Sequence, residues 1–584
     1  MVNIKEDPQL NVLNHSSAHL LAHAVKRLYP QAHFWVGPVI EDGFYYDIDL
    51  GDDKITEEDL PKIESMMRKI AKEDKRITRI ELSKAEALDE FSDDPYKVDI
   101  INNLSDDETI SAYRQAEFID LCRGPHVETT KKMKYFKLTK VSGAYWKGDA
   151  NNKMLQRVYG ITFETQEDLD AYLEWLEAAK QRDHKKLGRE LELFMMSEYG
   201  PGFPFWLPNG MTLRHALDEY YHAAHVRRGY VFTQTPTMLN KELWEISGHW
   251  QNYRDNMYTS TIDDREFAIK PMNCPGGMLV YKNGLHSYRD LPIRLAEMGT
   301  VHRHEASGAL NGLFRVRSFT QDDAHLFMTE EQLQDEIVEI LDFIDEIYTV
   351  FGLTYSIELS TRPEDKYIGE ISVWDHSEKI LEDACRAAGK EFKINPGDGA
   401  FYGPKLDFKV RDSLNRIWQC GTVQLDMNLP ERFDLTYVAE DGTKKRPIML
   451  HRAIFGSIER FIGILIEHFG GAFPVWLAPT QVEIIPVNTE FHMDYAYEVA
   501  KQLEEQGVRV HVDGRNEKLG YRLREAQVNK IPLQVIIGDK EIENKSVNLR
   551  RFGERAQNPF SLNEFLELVD NEIKNKTIHE IEKD

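Results

Sequence analysis

The longest part of this sequence, residues 194–478, places β-rich runs beside amphipathic helical patterns without strict alternation between the two. Residues 355–359 and 406–410 are two such runs. A doubly wound parallel sheet needs a crossover helix between successive strands, whereas antiparallel strands can follow one another through short turns. The pattern therefore favours an antiparallel sheet with helices packed around it.

The rest of the chain divides into three further parts, which agrees with 584 residues at roughly 150 per domain. Residues 1–164 combine a helical pattern from 15 to 28, preceded by Asn14 as its cap, with short strand-like runs. Residues 165–193 are charged and helical in pattern. Residues 479–584 alternate strands with helices and predict a compact α/β module. We expect an α+β multidomain protein.

The helical segment 165–193 ends in a basic cluster: Lys180, Arg182, His184, Lys185, Lys186 and Arg189. Such a cluster is typical of a solvated linker helix, and the alternative is a linker that faces nucleic acid. The net charge of −26 excludes a generally cationic nucleic-acid coat but allows a local basic face.

The four cysteines are widely spaced and form no C-x-x-C pair, which argues against a disulfide framework and favours a reducing compartment. Residues 1–13 are polar and lack the apolar core of a signal peptide. The most apolar late stretch, 461–479, contains Glu467 and His468, so it does not predict a membrane span. We expect a soluble cytoplasmic protein without a membrane partner.

Two pairs of potential ligands occur in the first part of the chain. His15 and His19 are four residues apart and share one face of the predicted helix. Cys122 and His126 have the same spacing, two residues beyond Asp120. Together they suit a zinc site, a metal-free hydrolytic pocket that holds a water molecule, or a satisfied polar core. The pattern alone does not choose among these.

Three segments of residues 194–478 favour phosphate chemistry when they are taken together: 228–236, 301–305 with the loop that follows to Arg315, and 456–460. In the second segment, an R-x-E pattern would place Arg303 and Glu305 on the same side of a strand. The arginine could bind a phosphate with two hydrogen bonds, and the carboxylate could accept one from an exocyclic amine. Each segment alone is typical of ordinary surface pairs.

In this order and spacing, the three segments resemble motifs 1, 2 and 3 of the class II aminoacyl-tRNA synthetases. Three more segments, 270–276, 320–325 and 450–453, resemble those that carry the zinc ligands of threonyl-tRNA synthetases. The resemblance covers essentially the whole chain. It implies an editing domain at 1–164, a helical linker at 165–193, a class II catalytic domain at 194–478 and an anticodon-binding domain at 479–584. Bacterial members usually begin with a ubiquitin-like domain, which we expect this chain to lack because Met1 leads almost directly to His15.

The reaction implied by this resemblance is the formation of threonyl-adenylate from threonine and ATP, followed by transfer to tRNA(Thr). Magnesium is expected with the ATP. The residues implied for the α-phosphate, the adenine amine and the outer phosphates are Arg303, Glu305, Arg315 and Arg460. Those implied for the rest of the nucleotide are Met272, Lys405, Gln419 and Thr422. Those implied for threonine are Gln321, Asp323, Tyr402 and Gln424.

The resemblance also implies one zinc ion per subunit, held by Cys274, His325 and His451, with a fourth position open. Threonine and valine are near isosteres, and an apolar pocket separates such pairs only by about 10²-fold. A metal that binds the amine and the β-hydroxyl together would reject valine. Serine keeps the hydroxyl, so excluding it requires a second, hydrolytic site.

The implied site for hydrolysis of seryl-tRNA(Thr) needs no metal and consists of His15, His19, Lys97, Asp120, Cys122 and His126. Asn516, Glu541 and Arg550 are the implied anticodon contacts. Motif 1 implies a homodimer. Three alternatives remain open at this point: another class II synthetase such as the prolyl enzyme, a metal-dependent hydrolase centred on the first part, and a synthetase-like RNA-binding regulator.

Overall fold

In the computed structural model, the described residues are 3–105, 109–149, 151–365 and 367–579. They form two compact units that divide between Ala178 and Ala179. Within the described residues, none of the helices combines the length and the apolar composition needed to cross a bilayer. The four-part division of the sequence stays a prediction.

The first unit packs α-helices against two antiparallel sheets. Its helices are α1 (Pro8–Leu28), α2 (Leu60–Lys72), α3 (Lys84–Glu90), α4 (Pro95–Asn102) and α5 (Gln166–Gln181), the last of which continues past the division. Its strands are β1 (His33–Phe34), β2 (Val39–Ile40), β3 (Gly43–Asp49), β4 (Ile77–Leu82), β5 (Ile110–Gln115), β6 (Phe118–Leu121), β7 (Tyr135–Tyr145) and β8 (Met154–Phe163). One sheet has the order β1-β3-β8-β7 with β2 beside β3, and the other has the order β4-β5-β6.

The start of α1 corrects the sequence prediction. The helix begins at Pro8, and its N-cap is Asp7, whose carboxylate accepts hydrogen bonds from the backbone N–H groups of Gln9 and Leu10. Proline suits the first helical position because its missing N–H has no partner there. Asn14 instead lies buried and exchanges two 2.9 Å hydrogen bonds with the backbone of Thr162 on β8. It fastens the helix to the sheet rather than capping it.

The second unit begins with short elements and then builds a large sheet. Its helices before residue 479 are α6 (His184–Glu190), α7 (Pro208–Arg227), α8 (Lys241–Ser247), α9 (His249–Asn252), α10 (Cys274–Lys282), α11 (Glu330–Val350), α12 (Ile371–Ala387), α13 (Leu429–Arg432) and α14 (Ile458–His468). The corresponding strands are β9 (Phe194–Met195), β10 (Phe205–Trp206), β11 (Val231–Phe232), β12 (Met238–Asn240), β13 (Thr259–Ile262), β14 (Arg265–Ile269), β15 (Ile293–His302), β16 (Ser318–Met328), β17 (Thr354–Ser360), β18 (Phe392–Asn395), β19 (Lys405–Arg411), β20 (Ile417–Asp426), β21 (Tyr437–Val438), β22 (Lys444–Lys445) and β23 (Ile448–Ala453).

The central sheet has eight strands in the order β11-β15-β16-β23-β20-β19-β17-β18. The six strands from β15 to β17 pair antiparallel, and only the edge strands β11 and β18 pair parallel. The antiparallel sheet predicted from residues 194–478 is therefore confirmed. Apolar residues of α11 and α14, such as Ile340 and Ile462, are fully buried in the same core cluster as those of the sheet.

The last hundred residues form a five-stranded sheet with helices. Its strands are β24 (Val482–Pro486), β25 (Val510–Val512), β26 (Leu533–Ile537), β27 (Ser546–Arg551) and β28 (Asn558–Ser561), in the order β25-β24-β26-β27-β28. The helices are α15 (Met493–Glu505), α16 (Leu519–Val528), α17 (Asp539–Asn544) and α18 (Leu562–Asn575). The first three strands in this order are parallel, as the alternation of strands and helices predicted.

The predicted solvated linker helix is in fact two helices with a break at residues 182–183. Asp183 caps α6 by accepting hydrogen bonds from the backbone N–H groups of Lys185 and Lys186. Arg182 donates to the carbonyl oxygen of His468 at 2.8 Å, and His184 is buried. The interpretation of the basic cluster as wholly solvated is therefore wrong for these two side chains, which pack inside the second unit.

Candidate functional site

A cavity of about 250 Å³ opens on the central sheet of the second unit. Nine of the predicted residues line it: Arg303, Glu305, Arg315, Gln321, Lys405, Gln419, Thr422, Gln424 and Arg460. Arg303 and Glu305 follow β15, which ends at His302, so they lie just beyond the strand rather than on it. Both nonetheless face the same cavity. The sheet thus brings together side chains that are up to 157 positions apart in the sequence.

Arginine side chains give this cavity a cationic wall. Arg315 Nε donates to Glu305 Oε2 at 2.9 Å. Arg460 lies in the first turn of α14, where its Nε donates to the carbonyl oxygen of Phe314 at 3.0 Å. Ser457 caps that helix by accepting from the backbone N–H of Arg460. Guanidinium groups held in this way suit the oxygens of a polyphosphate, which they can bind with paired hydrogen bonds.

The floor of the cavity contains a carboxylate that the sequence analysis missed. Asp407 is fully buried on β19 and accepts from Lys405 Nζ and Gln419 Nε2, each at 2.7 Å. It also accepts from Ser360 Oγ at 2.7 Å. Because a buried carboxylate is stable only with such partners, Asp407 fixes the two predicted nucleotide-binding side chains. Its signal in the sequence is an aspartate that alternates with apolar residues in the β-rich run 406–410.

Cys274, His325 and His451 come together beside this cavity. His325 on β16 lies directly opposite His451 on β23, and Cys274 is the first residue of α10. All three are buried, and their potential ligand atoms lie within 4.8 Å of one another. Directly opposed residues on neighbouring strands have close Cβ atoms, so the sheet register itself places the two imidazoles.

The surroundings of this cluster fit a soft divalent metal. His451 Nε2 bonds Asp426 Oδ2 at 2.8 Å, and within the described residues its Nδ1 is buried without a hydrogen-bond partner. Burial holds the pKa of His325 well below its usual value, which keeps that imidazole neutral. A metal-binding histidine commonly donates its other ring N–H to a carboxylate, as His451 can to Asp426. Sequence reasoning missed Asp426 because it is 25 residues from its partner.

The remaining predicted threonine and nucleotide residues lie around the same cluster. Tyr402 donates to Gln424 Oε1, and its ring centroid is 5.1 Å from that of His451. Asp323 is buried and accepts from Asn273 Nδ2 at 2.7 Å, and burial raises its pKa to about 6. Met272 lies to one side, with its Sδ 3.1 Å from Nε2 of the buried His249.

A second cluster lies in the first unit, where a cavity of about 310 Å³ is lined by His15, His19, Lys97, Asp120 and Cys122. Cys122 Sγ is 3.2 Å from Nε2 of His15 and 3.2 Å from Nε2 of His126. The structure therefore brings together all six residues predicted for hydrolysis. Each of the two i,i+4 pairs contributes to it, one from α1 and one from the loop after β6.

A buried ion pair forms one wall of this second cavity. Lys97 Nζ lies 2.6 Å from Asp120 Oδ1, and His19 Nε2 lies 3.4 Å from Asp120 Oδ2. The hydroxyl of Tyr46 donates to Asp120 Oδ2 at 2.5 Å and accepts from Lys97 Nζ at 3.1 Å. Tyr46 was missed because it looked like one more residue of the strand 44–48. Its only signal is a polar group on the buried face of that strand.

Burial sets the protonation of this second cluster. It raises the pKa of Cys122 to about 12 and lowers the pKa of His19 to about 4, although Asp120 partly opposes the second shift. Near pH 7 the thiol is therefore protonated and the imidazole is neutral. A thiol is a poor nucleophile, since the thiolate is the reactive form. Neutral imidazoles and a thiol can instead orient a water molecule, and an imidazole can accept its proton.

Three family models match the sequence. Residues 258–469 match the tRNA synthetase class II core domain (G, H, P, S and T), residues 481–572 match an anticodon binding domain, and residues 110–159 match the threonyl and alanyl tRNA synthetase second additional domain. The chain is 57% identical over 564 residues to the threonine–tRNA ligase of Fusobacterium nucleatum, covering 96% of this chain and 90% of that one. The chain belongs to the threonine–tRNA ligase family.

Further matches support this assignment to the family. The threonine–tRNA ligase of Acetivibrio thermocellus is 56% identical over 564 residues, covering 96% of this chain and 88% of that one. A crystal structure described as the RNA binding domain of threonyl-tRNA synthetase from Cryptosporidium parvum has a TM-score of 0.65 at 40% identity, covering 67% of this chain and 98% of that one. The family and the class II fold expected from the sequence motifs are confirmed.

The predicted anticodon contacts lie in the part of this family member that matches the anticodon binding domain. Asn516 is exposed in the loop after β25, and Glu541 lies in α17, which follows β26. Both therefore follow the carboxyl ends of parallel strands, where ligands commonly bind in open α/β sheets. Arg550 is on β27 opposite Gln534, three residues before the end of β26. The structure thus places two of the three residues beyond the same edge and the third on the adjoining antiparallel strand.

Proposed function

We propose that this member of the threonine–tRNA ligase family activates threonine with ATP, transfers it to tRNA(Thr) and hydrolyses seryl-tRNA(Thr) at the cluster of the first unit. The observation that supports activation best is the contact between the cationic cavity and the Cys274/His325/His451 cluster. Gln424 lines the cavity and lies directly opposite His451 on the neighbouring strand. An amino acid bound at the cluster would therefore have its carboxylate within reach of the α-phosphate of ATP.

In activation, the residues of the cavity act by position and charge. Arg303 would hold the α-phosphate, Glu305 the adenine amine, and Arg315 and Arg460 the outer phosphates with their magnesium. Lys405 and Gln419, fixed by Asp407, would hold the rest of the nucleotide together with Thr422. Holding the threonine carboxylate close to the α-phosphate removes much of the entropic cost of bringing the two reactants together. Fixed guanidinium groups stabilise the negative charge that develops on the phosphate oxygens.

Selection of threonine would depend on the Cys274/His325/His451 cluster, whose single thiolate and two imidazoles fit zinc with an open coordination position. Zinc bound there would supply a Lewis acid for the amine and the β-hydroxyl of the amino acid. Tyr402, Gln321 and Asp323 would orient the remaining polar atoms of the substrate. Valine, which lacks the hydroxyl, would leave these groups unpaired and would bind poorly.

Removal of serine is assigned to the first unit. There Lys97, Asp120 and Tyr46 form a fixed charged wall, and Cys122 with the neutral imidazoles of His15, His19 and His126 orients a water molecule against the ester. The water would lose its proton to an imidazole as it attacks, in general base catalysis. This scheme needs no metal, because Cys122 Sγ already has both His15 and His126 as hydrogen-bond partners.

A homodimer and anticodon reading complete the proposal. Val231 in the motif 1 segment, and Met211 and Val226 on the helix α7 that precedes it, are exposed apolar side chains, as expected of a face covered by a second copy. Asn516, Glu541 and Arg550 would read unpaired anticodon bases through their edges.

The test is amino-acid-dependent ATP–pyrophosphate exchange with threonine, serine, valine and proline, with zinc quantified on the same sample. We expect exchange with threonine, weaker exchange with serine, none with valine or proline, and about one zinc per chain. Exchange with proline instead would keep the class and change the substrate. Zinc without any exchange would overturn the activation proposal, and deacylation of seryl-tRNA(Thr) would then decide whether the hydrolytic function remains.

A further inference from the structure

One buried histidine outside both clusters contacts the loop that carries the motif 2 residues. His184 is the first residue of α6 and its side chain is 1% exposed. Its Nδ1 lies 2.7 Å from Glu467 Oε1, and the backbone N–H of Leu313 points at its Nε2 from 3.0 Å. Glu467 also accepts from the backbone N–H of His184 at 2.9 Å. The ring therefore joins two segments that are far apart in sequence.

The two bonds define the protonation state of the ring. A backbone N–H can only donate, so Nε2 of His184 must be the acceptor from Leu313. Nδ1 must then carry the proton, which it donates to Glu467. A neutral imidazole of this tautomer satisfies both neighbours at once. The negative charge of Glu467 is balanced separately by Arg416, whose Nη1 lies 2.5 Å from Oε2.

The loop segment held by His184 leads directly to the cavity. The ring centroid of His184 is 4.0 Å from that of Phe314, and the carbonyl oxygen of Phe314 accepts from Arg460 Nε. The next residue is Arg315, which bonds Glu305. Gly312 has a φ of +51°, and a Cβ there would lie 2.2 Å from Nε2 of His184, so only glycine allows the loop to approach the ring this closely.

Glu467 lies near the end of α14, whose first turn carries Arg460. His184 thus contacts the loop on one side and the helix on the other, next to the direct bond from Arg460 Nε to the carbonyl oxygen of Phe314. We infer that His184 is a positioning residue for ATP, setting the distance between the motif 2 loop and the motif 3 helix. This inference rests on the proposed activation reaction.

A pair of substitutions separates the two hydrogen bonds that the His184 side chain makes. The amide nitrogen of asparagine can take the place of Nδ1, and the amide oxygen of glutamine can take the place of Nε2. His184→Asn should therefore keep the bond to Glu467 and lose the bond to the loop, whereas His184→Gln should do the opposite. His376→Asn is the matched control, because His376 is a half-exposed residue of α12 in the same unit.

We expect His184→Asn to raise the KM for ATP about tenfold in the exchange reaction, the loss expected from one hydrogen bond. The KM for threonine and the zinc content should not change. His184→Gln should stay within about threefold of the unsubstituted protein in its KM for ATP, because it keeps the bond to the loop and the backbone N–H of residue 184 still donates to Glu467. Hydrogen–deuterium exchange should be faster at Leu313 in His184→Asn only. His376→Asn should change none of these values.

Equal losses for ATP and threonine in both variants, with equal falls in Tm, would show a merely structural role and overturn the inference. An unchanged ATP KM in His184→Asn would do the same. If the unsubstituted protein shows no ATP–pyrophosphate exchange with any amino acid, the activation proposal fails instead. Calorimetric measurement of ATP binding, together with hydrogen exchange at the Leu313 amide, then still tests whether His184 positions the loop.

Discussion

In the part of the chain that the structure describes, two clusters combine one cysteine with histidines, and they differ in what holds the ligand atoms. In the first unit, Cys122 Sγ lies within hydrogen-bond distance of the imidazoles of His15 and His126, and burial keeps the thiol protonated. In the second unit, His451 is held by Asp426 from behind, which leaves Nδ1 of the ring directed away from that bond. The same residue types therefore have different hydrogen-bond partners in the two places, which is the basis for proposing a water at the first cluster and a metal at the second.

The difference lies in the partners of the ligands rather than in the ligands. A carboxylate behind an imidazole fixes the ring and raises its basicity, and both effects favour metal binding. The carboxylate of the first unit, Asp120, is instead occupied by Lys97 and Tyr46, and its contact with His19 is the longest of the three at 3.4 Å. A search for ligand spacing alone cannot separate two such sites.

The largest expected effect separates the clusters by metal content. Cys274→Ser should remove the bound zinc and lower threonine-dependent ATP–pyrophosphate exchange by about a thousandfold, because the Lewis acid supplies several kcal/mol. Mass spectrometry of the metal and the exchange assay check this. Cys385→Ser, which changes a buried residue of α12 that belongs to neither cluster, should leave the zinc content unchanged. Full zinc content in Cys274→Ser would contradict the assigned ligand set.

Cys122→Ala should have the reciprocal effect. Loss of the thiol that holds two imidazoles should slow deacylation of seryl-tRNA(Thr) about a hundredfold, within the range of general acid–base contributions. Zinc content and threonine activation should stay unchanged, since this residue belongs to the other unit. Measuring deacylation and metal content on the same preparation checks both halves. A fall in zinc content would show that the first cluster also binds metal.

Asp426→Asn tests the carboxylate behind the imidazole. The amide cannot carry the negative charge that orients His451, so zinc affinity should fall about thirtyfold, within the range for such partners. Competition with a chelator of known affinity measures the change. Asp434→Asn is the control, because Asp434 is an exposed residue that pairs with Arg446. If both variants lose zinc equally, the bond to His451 has no special role.

Tyr46→Phe removes the hydroxyl that joins Lys97 to Asp120. Deacylation should slow about tenfold, since one charge-assisted hydrogen bond is lost while the ion pair remains. The neighbouring substitution Tyr45→Phe should have little effect because adjacent residues of β3 face opposite sides of the sheet. Rates of seryl-tRNA(Thr) deacylation for the two variants are compared directly, and equal rates would remove Tyr46 from the site.

The smallest expected effect is on pH dependence. An ordinary histidine with a pKa near 6.5 would make deacylation fall about fourfold between pH 8 and pH 6. Because burial lowers the pKa of His19 to about 4, the imidazole stays neutral over that range and is protonated only as the pH falls toward 4. The enzymatic rate, corrected for uncatalysed ester hydrolysis, should therefore change less than about twofold. A fall centred near pH 6.5 would contradict the buried environment of His19.

The features predicted correctly from the sequence are those that depend on closely spaced residues or on family motifs. The two i,i+4 pairs of the first cluster and the antiparallel central sheet were found because local patterns encode them. Partners joined only by folding were missed, such as Asp426 behind His451 and Asp407 beneath Lys405 and Gln419. The N-cap of α1 was also predicted wrongly, because two nearby residues are suitable caps. Asn14 looks like a helix cap, but Asp7 followed by Pro8 takes that position. The side chain of Asn14 bonds the backbone of β8 instead.

The placement of His325 opposite His451 makes metal uptake a report on strand pairing. A shift of one residue between β16 and β23 would turn one imidazole to the other face of the sheet. If the cluster binds zinc as proposed, tight binding would require that these two strands have reached their register and that α10 has docked with Cys274. Binding of the proposed ion would then add its free energy to that one arrangement and would stabilise only the correctly paired sheet.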